Sequence, residues 1–124
     1  MMYRIFVSSV ILLVLDTIFL YLNSRLFSQQ ITEVQRSPLK LNYIGAIFTY
    51  LLLIFAVNYF VLIPGKGILD AFLLGVVIYG VYEGTSWAVL KNWKPLTVVM
   101  DTLWGGALLA ATTFLTYGFL KATK

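Results

Sequence analysis

No cysteine and no histidine occur in the sequence. Those two absences exclude disulfides, thiol chemistry, cysteine-ligated iron–sulfur clusters, histidine-ligated haem and most zinc sites. Charge is scarce as well. Only 11% of the 124 residues are Asp, Glu, Lys or Arg, where a water-soluble domain usually carries about 25% to cover its surface. What fills the chain instead is apolar: 60% of residues are hydrophobic and 16% aromatic, with a mean hydropathy of +0.90. A soluble globule and a disordered chain are both excluded by that balance.

The apolar residues fall into four runs, at about Ile5 to Asn23, Leu41 to Ile63, Ile68 to Leu90 and Leu96 to Leu120. Each is long enough to cross a hydrocarbon core about 30 Å thick. Period-two alternation is missing from all of them, which argues against a barrel. The expected fold is therefore all-α: a polytopic membrane protein with one transmembrane domain over residues 1–124, built as a bundle of four transmembrane helices. The first run follows Arg4, as a signal peptide would, but it carries Asp16 and no small-x-small cleavage site follows it, so it reads as a retained helix.

Three connections join the runs. The long one, Ser24 to Lys40, is expected to hold a short interfacial helix over Gln29 to Arg36 and to break at Ser37-Pro38. Pro64-Gly65-Lys66-Gly67 reads as a tight turn that makes spans two and three an antiparallel hairpin. Lys91 to Pro95 is equally short, so spans three and four are expected to be antiparallel neighbours. Four spans put both termini and the second connection on one face of the membrane, side A, and the other two connections on the opposite face, side B. Side A then carries Arg4, Lys66, Lys121 and Lys124 against Arg25, Arg36, Lys40, Lys91 and Lys94 on side B. Four bases against five set no orientation by the positive-inside rule, and insertion both ways round stays open. The net charge of +4 lies at the ends of the runs, where it meets anionic headgroups; no basic surface for nucleic acid is formed. The expected partners are the lipid bilayer and a second copy of the chain in a homo-oligomer, because a four-helix monomer leaves little room for a pore. Nothing in the sequence calls for a cofactor or metal.

Four of the five acids lie inside the runs. At about 1.5 Å of rise per residue, Asp16, Glu83 and Asp101 should all lie about 7 to 11 Å below the side B boundary, whereas Asp70 sits at the side A rim. Thr97 and Trp104 share the face of Asp101, and Tyr79 and Trp87 flank Glu83 at i−4 and i+4. Tyr82, Thr85 and Ser86 add hydroxyls beside them. Burying an acid in hydrocarbon is costly, so these three must face the bundle interior, and three carboxylates in one layer cannot all stay ionised. At least one is expected to hold a proton or a cation, with Lys91 and Lys94 as the nearest bases to snorkel towards them. The competing reading is polar glue, in which the acids only accept hydrogen bonds from Tyr, Trp, Thr and Ser on facing helices. Gly80-x-x-x-Gly84 and the Gly105-Gly106, Ala107, Ala110, Ala111 face read as helix-packing surfaces, within the chain or between copies. Trp93 reads as an interfacial anchor.

The stretch Tyr82-Glu83-Gly84-Thr85-Ser86-Trp87-Ala88-Val89-Leu90-Lys91-Asn92-Trp93, followed by Asp101-Thr102-Leu103-Trp104-Gly105, resembles a family of small four-span membrane proteins known as a domain of unknown function. That family shows Tyr-Asp-x-Thr-Asn-x-Ala-x-Leu-x-x-Trp, then Asp-x-x-Trp-Gly, with Leu-Asp-x-x-Trp-Leu in the first span. Leu15, Asp16 and Leu20 match the last motif, with Phe19 in place of its Trp; Glu83 stands for Asp and Ser86 for Asn. The resemblance covers essentially the whole chain and implies the four-span topology and the importance of Asp16, Glu83 and Asp101. It implies no activity. The functional reading is an acid-lined intramembrane pocket open to side B, serving ion, proton or small-molecule permeation. The alternatives are a membrane enzyme acting on a lipid or isoprenoid headgroup with a carboxyl pair as acid and base, and an accessory subunit whose acids only pack helices.

Overall fold

The computed structural model describes residues 2–35 and 42–122. Among them every regular element is helical: α1 (Met2–Leu22), α2 (Ser24–Gln35), α3 (Tyr43–Val57, prolonged by a π-helical turn at Asn58–Leu62), α4 (Ile68–Val89) and α5 (Pro95–Ala122). All but α2 are long and apolar enough to cross a membrane. The molecule is an all-α, multi-pass integral membrane protein, and its span limits differ from the sequence expectation by only a few residues. The expected break at Ser37-Pro38 and the expected start of span two at Leu41 lie outside the described residues, as do Arg36, Lys40 and Lys124.

Local chemistry sets the helix ends. Asn42 caps α3, its Oδ1 accepting from the amides of Ile44 at 3.1 Å and Gly45 at 3.2 Å, as a short amide side chain does at an N-cap. Pro95 opens α5, the position where its missing N–H costs nothing. Between α3 and α4 the chain reverses at Gly65, whose φ of 77° favours glycine, and the Lys66 amide donates back to the Val61 carbonyl at 2.8 Å. Tyr117 on α5 clasps this turn, its hydroxyl donating to the Lys66 carbonyl at 2.7 Å and the Val61 carbonyl at 3.3 Å.

α2 begins earlier than expected, at Ser24 rather than Gln29. The reason is a stripe at i, i+3, i+4 and i+7, namely Phe27, Gln30, Ile31 and Val34, of which the expected helix left out Phe27. Phe27 packs edge-on against Phe19 of α1 at 5.9 Å, which fixes α2 to the side B end of α1.

α4 and α5 pack along most of their length, as expected, but through different glycines from those expected. A Cβ built on Gly75 would fall on the Gly105 carbonyl, and one on Gly106 would come 2.8 Å from the Phe72 ring. Gly84, by contrast, faces open space, and Gly80 makes only an ordinary 3.5 Å contact with Thr102. The small-residue seam is thus Gly75 against Gly105-Gly106, since backbones approach only where neither helix has a side chain in the way. α1 also packs on α5, and α3 joins through α1. Although the Pro64–Gly67 turn makes them consecutive and antiparallel, α3 and α4 share hardly any contacts. The small-residue side of α4 is already committed to α5, and bulky Leu74, Ile78 and Tyr82 line the side that remains towards α3. The core is formed by Leu12, Leu53, Val57, Val61, Leu62, Ala71, Leu108 and Leu109.

Candidate intramembrane carboxyl site

Asp16, Glu83 and Asp101 are each six residues from the side B end of their helices, at Leu22, Val89 and Pro95 respectively. That places all three about 9 Å below side B. All three are buried, Glu83 at 1% exposure, Asp16 at 6% and Asp101 at 9%. Asp70 stands apart, exposed in the first turn of α4, where the helix N-terminus favours an acid.

The three are held differently. Asp16 is fully engaged: the Tyr50 hydroxyl of α3 donates to Oδ2, and the Trp104 indole of α5 donates to Oδ1 at 3.0 Å. Phe19, one turn further along α1, stacks on the Trp104 ring at 4.3 Å and holds the indole to its carboxylate. Phe19 thus supplies an aromatic plane beside the carboxylate. Glu83 accepts from the Trp93 indole at 2.9 Å. Asp101 faces the Glu83 carboxyl across α4 and α5, and the Asp16 carboxyl also lies near it. Tyr79 lies among Asp16, Asp101 and Tyr50. Its ring rests on Gly105, where any Cβ would overlap it, so that glycine admits both the α4–α5 seam and the tyrosine between the acids.

A lid of side chains closes the cluster towards side B. Asn92 adopts a φ of 68°, a left-handed conformation that asparagine tolerates better than most residues. The turn brings Trp93 back under the end of α4, where it is buried at 7% exposure against Glu83. Trp93 is thus not the interfacial anchor expected, because its indole N–H finds a better partner in a buried acid than in headgroup water. Gln30 of α2 fastens the same turn. Its Nε2 donates to the Asn92 carbonyl at 2.8 Å, and its Oε1 accepts from the Lys94 amide at 3.1 Å and the Thr97 hydroxyl at 3.0 Å.

Of the ten residues expected around the pocket, Asp16, Glu83, Asp101, Tyr79 and Trp104 converge as described. Tyr82 and Ser86 lie one turn apart on α4, Ser86 buried and Tyr82 near Glu83 and Asp101 while remaining largely exposed. Three are placed otherwise. Thr97 is buried but serves Gln30, not Asp101. Thr85 and Trp87 are exposed on the outer face of α4, since i and i+4 from Glu83 diverge enough on a helix for one to leave the buried stripe. Tyr50 and Gln30 were missed by sequence reasoning. Gln30 had a signal, an amide in the apolar stripe of α2; Tyr50, in an acid-free span, had none.

A family model covers residues 1–118, and its description is "Predicted membrane protein (DUF2177)". The chain belongs to the DUF2177 family. No curated protein and no solved structure matches it. Several of the residues on which the sequence resemblance rests meet at the cluster: Asp16 on α1, Glu83 and Trp93 around the end of α4, and Trp104 on α5.

Nearer side A lies a second, uncharged polar layer. Asn58, in the π-helical turn, donates through Nδ2 to Ser8 Oγ at 3.0 Å and to the Ile54 carbonyl at 2.8 Å. Thr112, Thr113 and Thr116 are fully buried, and among the described residues their hydroxyls have no hydrogen-bond partner. Valine keeps the shape of threonine without the unpaired hydroxyl, so the double variant Thr112→Val, Thr116→Val should match or exceed the parent in thermal unfolding. A loss of about 1 kcal/mol per site would instead show that the hydroxyls are satisfied in the membrane.

Proposed function

We propose that the Glu83–Asp101 pair is an intramembrane site that takes up and releases a proton, or a small cation in its place, and that the protein uses it in moving that species across the bilayer. The observation that carries this reading is the pairing of two buried carboxyls whose facing charged groups are acids. Ionised carboxylates only accept hydrogen bonds, so a bond between two of them needs a proton. Intramembrane acids in such an arrangement mark proton and ion sites by default. Asp16, by contrast, has two donors, and its role reads as packing. Leu12, Leu53, Val57, Leu108 and Leu109 fill the bundle core, which favours a site that loads and unloads over an open aqueous pore. The second reading, an enzyme using the pair as acid and base on a lipid headgroup, draws its support from the cleft that reaches Asp101 between α3 and α4.

Purified protein in vesicles enclosing a pH-sensitive dye tests the first reading. The parent should collapse an imposed proton or cation gradient, and Glu83→Gln and Asp101→Asn should each slow it at least tenfold while thermal stability holds or rises, because an amide is less costly to bury than a charge. Trp87→Leu, on the exposed face of α4, should flow like the parent. Infrared difference spectra should show a protonated-carboxyl band that both acid variants lose. Variants that are destabilised yet keep the parent's flux would overturn the proposal in favour of packing.

A further inference from the structure

The gap between α3 and α4 is a groove of about 660 Å³, within the range of about 300–1,000 Å³ that holds small-molecule ligands. Its walls are apolar along the whole membrane-normal direction, from Phe48 near the side B start of α3, through Leu52 and Phe55, to Phe60 near its side A end. Leu74 and Ile78 of α4 form the opposite wall. The polar groups lie towards one end: Asp101, with Tyr79, Tyr82 and Thr49, lies on the side B half of the groove. A groove that is apolar towards side A and acidic about 9 Å below side B has the polarity of a single-chain amphiphile whose head is drawn below the side B headgroups. Hydrocarbon alone would fill the walls but leave a buried carboxyl facing lipid, which is costly.

Charge selects the head. With one proton shared between Glu83 and Asp101, as proposed above, the pair carries a single negative charge, and the Asp16 carboxyl also lies near Asp101. A phosphate or sulfate head would meet like charge; an ammonium would neutralise the pair and donate hydrogen bonds to it. We infer that the α3–α4 groove seats a long-chain primary ammonium amphiphile, its head on Asp101 and its chain along Leu52, Phe55 and Ile78 towards side A. This rests on the reading of Glu83–Asp101 as a proton-sharing pair, and it goes further by naming the class of molecule the site admits from the lipid.

Native mass spectrometry of the protein released from phosphatidylcholine nanodiscs, doped with dodecylammonium, dodecanol or dodecyl sulfate, tests it. One dodecylammonium per chain should be retained, at a half-saturating fraction at least tenfold below that of either other probe. Asp101→Asn should erase that tenfold preference. Leu52→Trp, at a position 52% exposed and remote from the packed core, should block retention of all three. Equal retention of the three probes by the parent would overturn the proposal, leaving the groove as a place for ordinary lipid. A chain released as a dimer, with Leu52→Cys cross-linking across it, would also overturn it and make a second copy the occupant. The infrared band separates the two readings. With the band present and no preference for dodecylammonium, the amphiphile falls and the proton pair stands; with the preference present and the band absent, the proton pair falls and the ammonium site stands on ionised carboxylates.

Discussion

Gly75→Val should part α4 from α5 and cost the bundle about 3 kcal/mol or more, since overpacking of a tight core costs about 1–3 kcal/mol even where side chains can yield. Here they cannot, because the first atom of the new side chain would fall on the Gly105 carbonyl. Relief requires the helices to move apart along the seam that runs through Gly105 and Gly106. Because the Tyr79 ring rests on Gly105 and Glu83 and Asp101 face each other across the same pair of helices, a separation of this kind also breaks the carboxyl pair. Thermal unfolding in detergent should show the loss of stability, and the protonated-carboxyl band should disappear with it although no acid has been changed. Gly84→Val is the contrast: a Cβ there meets open space, so the variant should keep both its stability and the band. If Gly84→Val proved the more damaging, the expected G-x-x-x-G surface would be an interface after all, with a second copy of the chain.

The same contrast shows what was legible in the sequence and what was not. The four spans were legible because the hydrocarbon thickness sets a length that apolar runs must meet, and helical rise alone put Asp16, Glu83 and Asp101 at one depth. Rise gives depth but not azimuth. The face each residue takes follows from which helix lies beside it, and that order, α3 then α1 then α5 then α4, is a tertiary fact. Hence Trp87 and Trp104, both plausible donors by spacing, separate into one exposed ring and one bound to Asp16. Gly80 and Gly84 matched a known spacing, yet the tighter approach is at Gly75, which has no second glycine on its own helix at that spacing. Trp93 needed the left-handed turn at Asn92 and the anchor supplied by Gln30 to fold inward, and neither is visible in a hydropathy plot. The open groove was likewise hidden, because a short turn between two spans normally means that they pack together.

Asp16→Leu should cost about 2 to 6 kcal/mol and release α3 from the rest of the bundle. The residue is buried and accepts from two donors on two different helices, the Tyr50 hydroxyl and the Trp104 indole. Leucine leaves both donors unpaired in a layer shielded from water, and each buried orphan costs about 1–3 kcal/mol. α3 is the element at risk, since it touches α1 but makes hardly any contact with α4, and the Tyr50 bond is a main polar tie from its side B half. Asp16→Asn should be milder, because the amide oxygen still accepts from the Trp104 indole while its NH₂ group can donate to the Tyr50 hydroxyl, which accepts as well as donates. Cross-linking of Tyr50→Cys to cysteines on α1 would lose its stability evidence by removing the same bond, so hydrogen exchange of the α3 amides in nanodiscs is the better measure. In Asp16→Leu those amides should exchange faster while α4 and α5, joined by their own glycine seam, keep their protection. Uniform loss of protection across all four spans would show that Asp16 is a keystone of the whole bundle, and unchanged exchange in α3 would show that the Tyr117 clasp on the Lys66 carbonyl and the apolar core hold that helix without it. In the expected case, Asp16→Leu loosens α3 while the protonated-carboxyl band proposed for Glu83 and Asp101, which face each other across α4 and α5, remains visible in the infrared.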